Sequence, residues 1–389
     1  TFVVFKTYKM NDMKGKQGLV CMGLLLVLSS CHTGKQITAS GLQRKDFQTE
    51  VNGQHTDLFT LSNKQGMEVC ITNYGARVVS ILVPDRNGKR EDVVCGFSTI
   101  TEYMEQRQNF GSTVGRYIGR ILNARFTLDG VEYKLVPNNG KSGHISHGGN
   151  PGFADRIWKV EQADTHRVRL SYLSPDGENG FPGNLKVTLV YSLGEDDNAL
   201  DLTYEATTDA PTVLNLSHHS FFNISGNFTK SVEDQQLWVD ADRFTPYDDK
   251  KCVTGEYLPV AGTPLDFRMP HTIGECIDAD HPQLKVVNGY DHIWELNTKG
   301  DDTRPAAWVY DPASGRKMEI FTTEPGMQIY TGNGLKGKMT GKGGIAYPFR
   351  SAVCFETMHF QDSPNQPGFP STVLRPGEVF RSHTVYKFE

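Results

Sequence analysis

The feature that most restricts the fold of this 389-residue chain is the alternation of apolar and polar residues in short runs. The run "KVTLVYSL" (Lys186–Leu193) alternates in this way, and so does "ALDLTYEA" (Ala199–Ala206) after the turn sequence "GEDDN". Successive side chains of a strand point to opposite faces, so a period of two is typical of a half-buried strand. The two runs and their turn therefore predict a β-hairpin.

The same pattern recurs along the chain. "ARFTLDGVEYKL" (Ala124–Leu135) and "AWVYDPASGRKMEIFTT" (Ala307–Thr323) predict two more hairpins, whereas "STITEYMEQRQ" (Ser98–Gln108) is the one stretch that favours a short helix. Such a chain is predicted to be all-β, as a large antiparallel β-sandwich of two extended sheets. We expect one domain, and two smaller sandwiches are the alternative.

The N-terminal residues read as a targeting segment. "MKGKQGLVCMGLLLVLSSC" (Met13–Cys31) has two lysines, about ten apolar residues and then small residues before Cys31, as in a bacterial lipoprotein signal peptide. An ordinary secretory signal is the alternative. The expected organisation is upstream residues and signal peptide over 1–30, a tether over 31–46 and the domain over 47–389.

This organisation predicts an exported bacterial lipoprotein that a lipid at Cys31 holds on the periplasmic or cell-surface side of a membrane. The net charge of −5 argues against nucleic acid as a partner, because phosphate binding needs a basic face. The five cysteines after Cys31 are widely spaced, which predicts buried thiols rather than a disulfide framework or a zinc site.

Five segments hold polar residues that a plain sandwich does not need. In "GSTVGRYIGRILNARF" (Gly111–Phe126), Arg116 and Arg120 are four residues apart, and surface arginines beside a strand are the simpler interpretation. In "HISHGGNPGFADRIW" (His144–Trp158), His147 precedes two glycines that allow a close approach to a ligand. His144 and His147 could suggest a metal pair, but no acidic or cysteine ligand nearby completes it.

The third segment, "NLSHHSFFNISG" (Asn215–Gly226), places His218 beside His219. In a strand the two side chains point to opposite faces, which disfavours a shared metal or a shared role. One of the two is therefore the candidate, and the alternation alone leaves open which.

The last two segments carry carboxylates. "NGYDHIWEL" (Asn288–Leu296) contains Asp291, and "AVCFETMHFQDSPNQPGFP" (Ala352–Pro370) places Glu356 within an apolar strand. Burial would raise the pKa of such a glutamate toward the range of a general base. A glutamate that faces solvent on an edge strand is the alternative.

Seven motifs in this order, including "VGRYIGRI", "HGGNPGFADRIW", "GYDHIW", "EPGMQIYTGN" and "FETMHFQDSPNQPGFP", resemble the aldose 1-epimerases, also called galactose mutarotases. The resemblance runs from Phe47 to the C-terminus and implies the galactose mutarotase-like supersandwich fold. It implies an isomerase of carbohydrate metabolism that interconverts the α and β anomers of free aldoses such as galactose and glucose, without a metal or another cofactor.

The resemblance also implies residue roles. His219 and Glu356 match the catalytic histidine and glutamate, and the sugar-binding residues match Arg120, His147, Asp291 and Gln328. Glu356 would take the proton of the anomeric hydroxyl while His219 protonates the ring oxygen.

Two positions depart from the family pattern: Gly119 and His218 both stand where the family usually has asparagine. Both leave the preferred sugar open. The rival functions are a glycoside hydrolase that uses Asp291 and Glu356, a carbohydrate-binding lipoprotein without catalysis, and a hexose-phosphate epimerase, which should need more basic residues around its pocket than Arg120 alone supplies. The expected partner is a monosaccharide, and the expected state is a monomer or weak dimer.

Overall fold

Antiparallel strands are the predominant regular secondary structure in the computed structural model, which describes residues 37–389. The predicted signal peptide, the lipidation site Cys31 and residues 31–36 of the predicted tether lie outside the described residues. No helix in the described part of the chain combines the length and the apolar character needed to cross a membrane.

The strands in chain order are β1 (Glu50–Val51), β2 (Gln54–His55), β3 (Leu58–Ser62), β4 (Glu68–Thr72), β5 (Arg77–Pro84), β6 (Arg90–Asp92), β7 (Ser112–Val114), β8 (Arg120–Ile121), β9 (Arg125–Leu128), β10 (Val131–Lys134), β11 (Ile145–Ser146), β12 (Lys159–Ala163), β13 (Arg167–Ser174), β14 (Leu185–Leu193), β15 (Ala199–Thr208), β16 (Thr212–Val213), β17 (Ser217–His219), β18 (Phe221–Phe222), β19 (Gln236–Val239), β20 (Arg243–Thr245), β21 (Leu258–Pro259), β22 (His271–Thr272), β23 (Asp291–Glu295), β24 (Ala307–Tyr310), β25 (Lys317–Thr322), β26 (Gly326–Tyr330), β27 (Val353–Met358), β28 (Val373–Leu374) and β29 (Phe380–Phe388). The α-helices are α1 (Ile100–Gln106) and α2 (Pro282–Val287). Short 3-10 turns occupy Arg44–Phe47, Leu122–Ala124, Gly140–Ser142, Phe153–Asp155, Glu178–Gly180, Lys342–Gly344 and Ser363–Asn365.

Two large sheets form the sandwich. One has nine strands in the order β12-β13-β14-β15-β29-β25-β24-β19-β22, and the other has six in the order β18-β27-β26-β23-β20-β21. A single buried cluster contains Leu189 and Ile320 of the nine-stranded sheet together with Trp294 and Phe355 of the six-stranded sheet. The fold prediction of an all-β antiparallel sandwich is confirmed.

In the first predicted hairpin, the apolar residues of the alternating pattern are buried. β14 and β15 pair antiparallel with Leu189 opposite Tyr204, and both side chains are buried. The hairpins β9–β10 and β24–β25 and the short helix α1 also form where the sequence predicts them. A capping box stabilises the start of α1, because Thr99 and Glu102 each accept a hydrogen bond from the other's backbone N–H. Helix α2, which has Pro282 at its start and Asn288 at its end, was not predicted.

The described part of the predicted tether packs on the domain. The backbone N–H groups of Ala39 and Ser40 donate to the Glu68 carboxylate, and Leu42 joins a buried cluster with Phe47. Packing on the domain therefore includes residues before Phe47, whereas the part of the predicted tether over residues 31–36 lies outside the described residues. The five described cysteines are free, and all except the half-buried Cys276 are buried.

Candidate active site

A polar cavity of about 230 Å³ lies beside the inner strands β23, β26 and β27 of the six-stranded sheet. It lies just below the usual size range of small-molecule sites, which indicates a compact ligand. Its lining consists of Gln108, Asn109, Gly119, Arg120, Ser146, His147, His219, Phe221, Asp291, Gln328, Tyr330, Glu356 and Gln361. All six residues predicted for catalysis or sugar binding are among them.

Three neighbouring strands supply one wall. Gln328 on β26 lies directly opposite Glu356 on β27, and Ile293 on β23 lies opposite Gln328 on its other side. Asp291 stands two residues from Ile293 and therefore shares its sheet face, in the diagonal position relative to Gln328. The Gln328 amide donates to Asp291 Oδ1 at 2.6 Å, so the period of two brings these three side chains together.

The short strands β8 and β11, and the residues next to them, supply another part of the lining. They pair with Arg120 opposite Ser146, which places His147 beside Gly119. The backbone N–H of His147 donates to the Gly119 carbonyl at 2.9 Å, and His147 has a positive φ of 51°. Arg120 Nη1 donates to the Lys251 carbonyl at 3.1 Å, which directs this guanidinium along the rim of the cavity.

The adjacent histidines of β17 separate as strand geometry predicts. His219 lines the cavity and stacks on Phe221, with ring centroids 5.0 Å apart. His218 points away, where its Nε2 lies 2.6 Å from the Ser220 hydroxyl and its ring packs near Tyr191 and Tyr386. Of the pair, only His219 lines the cavity.

His219 and Glu356 form the central pair. Nε2 of His219 lies 3.4 Å from Oε1 of Glu356, and the side chains are 7% and 2% exposed. Burial, and then the nearby charge of Asp291, raise the pKa of Glu356 well above its usual value. Burial, and then the neighbouring His147, lower the pKa of His219 well below its usual value. Each group alone thus favours its neutral form.

Burial also shifts the pKa values of Asp291 and His147 in opposite directions. Burial raises the pKa of Asp291 to about 6, although Arg120 and the hydrogen bond from Gln328 oppose that shift. Burial, and then the Arg120 charge, lower the pKa of His147 to about 4. At neutral pH the cavity therefore holds an ionised Asp291 and a neutral His147.

Other polar residues of the predicted segments serve the fold. Arg116 is buried, and its guanidinium donates to the carbonyls of Pro182 and Gly183 and to the Ser174 hydroxyl. The surface interpretation of Arg116 is therefore wrong, because the buried guanidinium satisfies a group of backbone carbonyls. His144 accepts from the Asn123 N–H and faces Cys252, so it does not pair with His147 on a metal.

Several cavity residues were not predicted. Phe221 could have been found, because it stands two residues after His219 on the same face of an extended segment. Gln361 lies in a loop already noted for its polar residues, but a glutamine in a loop carries no signal of its own. Its partners Gln328 and Tyr247 are distant in the sequence.

His219, Cys354 and Glu356 offer ligand atoms that lie within 4.8 Å of one another, which is the spacing of a possible metal site. Burial raises the pKa of the Cys354 thiol well above its usual value, whereas metals bind the thiolate. The arrangement is better suited to exchanging protons, since an acid and a base of opposed pKa shift stand together.

Comparisons with known proteins agree with this geometry. Residues 57–387 match the family model described as aldose 1-epimerase. The chain is 40% identical over 331 residues to a galactose mutarotase of Bos taurus, covering 85% of this chain and 93% of that protein. It is 36% identical over 339 residues to an aldose 1-epimerase of Escherichia coli (strain K12), covering 87% and 96%.

Solved structures give the same result. An aldose epimerase homologue from C. elegans aligns with a TM-score of 0.79 and 31% identity over 86% of this chain and 99% of that one. A galactose 1-epimerase from Lactobacillus acidophilus NCFM aligns with a TM-score of 0.76 and 28% identity over 88% and 96%.

Proposed function

The chain belongs to the aldose 1-epimerase family and is an isomerase with mutarotase activity, and from this premise we propose that Glu356 and His219 exchange the protons of the reaction. The reaction interconverts the α and β anomers of free aldoses such as galactose and glucose. The observation that carries the assignment is the 3.4 Å approach of a buried acid and a buried base in one polar cavity.

The chemistry needs one proton donor and one proton acceptor. The Glu356 carboxylate takes the proton of the hydroxyl on C1, the bond between C1 and the ring oxygen breaks, and protonated His219 gives its proton to that oxygen. Rotation about the C1–C2 bond of the open-chain aldehyde exposes its other face. The hydroxyl formed from the ring oxygen then attacks C1. Its proton returns to His219, and Glu356 gives the proton that it took to the carbonyl oxygen on C1.

The opposed pKa shifts suit this cycle. When the ring is open, Glu356 is protonated and His219 is neutral, and burial favours this form of the pair. When the ring is closed, the same single proton resides on His219 and Glu356 is ionised. A pair that holds one proton in total is therefore competent for both ring opening and ring closure.

The other cavity residues would hold the sugar. Ionised Asp291 accepts hydrogen bonds from hydroxyls, Gln328 fixes its orientation, and Arg120 donates at the rim. His147 is neutral and has its ring centroid 5.6 Å from that of His219, where it would hydrogen-bond an oxygen near the reacting centre. Such positioning keeps the anomeric carbon beside the proton-exchanging pair.

Polarimetry of freshly dissolved α-galactose and α-glucose tests this function. We expect the wild-type protein to accelerate the change in optical rotation over buffer, and His219→Ala and Glu356→Ala to lose most of that acceleration. Mutarotation at the buffer rate with wild-type protein would refute the activity, and full activity in both variants would refute the roles of the two residues.

We further propose that the mature protein is a bacterial lipoprotein with a lipid on Cys31, on the periplasmic or cell-surface side of a membrane. The supporting pattern is the lysine-flanked apolar run and the small residues that precede Cys31. Fractionation of cells that express wild type and Cys31→Ala tests it: the wild type should sediment with membranes and the variant should not. Equal distribution of both proteins would refute the anchor.

A further inference from the structure

The cavity wall next to Arg120 contains a glycine, Gly119, beside which another side chain already fills the space. Gly119 has a φ of +75°, which is strained for residues other than glycine. A Cβ atom added to Gly119 would lie 2.9 Å from Cδ of Gln361 and closer still to its Cγ. The Gln361 side chain therefore occupies the space into which a larger residue at position 119 would extend.

Gln361 is tied to the sugar-binding residues by its amide. Its Nε2 donates to Gln328 Oε1 at 2.7 Å and to the Tyr247 hydroxyl at 3.0 Å. The ionised Asp291 can only accept, so Gln328 must turn its NH₂ toward Asp291 and its oxygen toward Gln361. Because the carboxylate only accepts, each amide must donate to the next group, Gln361 to Gln328 and Gln328 to Asp291.

The second polar atom of Gln361 is unsatisfied. The side chain lines the cavity and the residue is 2% exposed, yet its Oε1 has no hydrogen-bond partner among the described residues. A buried amide oxygen without a donor is unfavourable, and a hydroxyl group of a sugar would provide the donor.

We propose that Gln361 is a specificity-determining residue of this protein, filling the space beside Gly119, orienting Gln328 and Asp291, and accepting a hydrogen bond from one sugar hydroxyl through Oε1. This inference rests on the proposed function and identifies the side chain that compensates for the glycine at position 119. The sugar preference then depends on positions 119 and 361 together.

Steady-state kinetics with four variants test the coupling. Gln361→Ala should lower kcat/KM about tenfold, mainly through KM, because sugar contacts are lost while Glu356 and His219 stay in place. Gln361→Met keeps the length without the amide and should lose as much. Gly119→Asn should be severely impaired alone but less impaired in a Gln361→Ala background, because the second change makes room. Additive effects of the two changes would overturn the coupling.

Gln366→Ala provides the matched control. This glutamine follows in the same loop, but its amide donates to Asp362 and it does not line the cavity. It should change kcat/KM less than twofold. An equal loss in Gln366→Ala and Gln361→Ala would assign the effect to the loop and not to the cavity.

Titration calorimetry with galactose and its monodeoxy analogues separates this inference from the proposed function, since binding needs no catalysis. With wild type, removal of the one hydroxyl that faces Gln361 should weaken binding about tenfold, and Gln361→Ala should show no further loss for that analogue. If Gln361→Ala binds every analogue as tightly as wild type does, the inference is overturned even if mutarotation is fully active. If mutarotation fails while these binding differences persist, only the proposed reaction is refuted.

Discussion

Two histidine–carboxylate pairs each have one member on β27 or directly after it, and they differ in where they hold a proton. In the cavity, His219 and Glu356 approach to 3.4 Å without a close hydrogen bond. Just beyond the end of β27, His359 Nδ1 lies 2.7 Å from Glu324 Oε2, with side chains that are 24% and 2% exposed. The two pairs have the same residue types and comparable burial of the carboxylate.

The pKa of the histidine is raised in one pair and lowered in the other. Burial lowers the pKa of His359, but the hydrogen bond and the charge of Glu324 outweigh it and raise that pKa overall. For His219, burial dominates and lowers the pKa. The short hydrogen bond therefore fixes the proton on His359, whereas the looser cavity pair leaves its proton free to move to a ligand. Proximity of a histidine and a carboxylate therefore does not by itself identify the catalytic pair in this protein, and the direction of the histidine pKa shift distinguishes the two.

Isosteric amide variants at the two carboxylates should give the largest contrast. Glu356→Gln removes the base and should lower kcat by about 10²- to 10⁴-fold. Glu324→Gln should leave kcat within about threefold of wild type, because Glu324 does not line the cavity. Polarimetry with galactose measures both. A comparable loss in the two variants would contradict the distinction between the pairs.

The acidic limb of the pH profile should come from Asp291 and not from a histidine. With a pKa of about 6, Asp291 is mostly ionised at pH 7 and mostly protonated at pH 5, so kcat/KM should fall by about tenfold between them. His147, with a pKa of about 4, stays neutral throughout this interval. Asp291→Asn should lower kcat/KM and remove this limb, and an unchanged limb in the variant would assign it to another group.

Replacing the carboxylate with an amide should lower the thermal stability at one pair and should not lower it at the other. Glu324→Gln keeps an amide oxygen that can accept from His359 but removes the negative charge that stabilises the protonated imidazole, and it should cost about 1–3 kcal/mol at pH 6. Because the folded pKa of His359 is raised, this stabilisation is full below its unfolded pKa and is lost as the pH rises through the folded value. Glu356→Gln replaces a carboxyl whose ionised form burial disfavours, so at pH 7 its melting temperature should equal or exceed that of wild type. Scanning calorimetry at both pH values measures this, and a lower melting temperature for Glu356→Gln would contradict it.

The sequence predicts the strands well, because their burial on one face imposes a period of two that is visible locally. It also predicts that His218 and His219 separate, since that follows from strand geometry alone. The distinction between the two histidine–carboxylate pairs was not predictable, because Glu324 and His359 lie in loops 35 residues apart and their 2.7 Å contact has no local signature. The pairing of Gly119 with Gln361 was hidden for the same reason.

The smallest effect is expected at His218, the second position that departs from the family pattern. Its Nε2 lies 2.6 Å from the Ser220 hydroxyl and its Nδ1 3.5 Å from the Tyr191 hydroxyl, on the strand face opposite the cavity. Asparagine keeps a polar group there but fills less volume, so His218→Asn should lower the melting temperature slightly. It should leave the ratio of kcat/KM for galactose and glucose within about twofold of wild type. A larger change in that ratio would mean that the buried face of β17 controls the orientation of His219, and that the two neighbouring histidines act together after all.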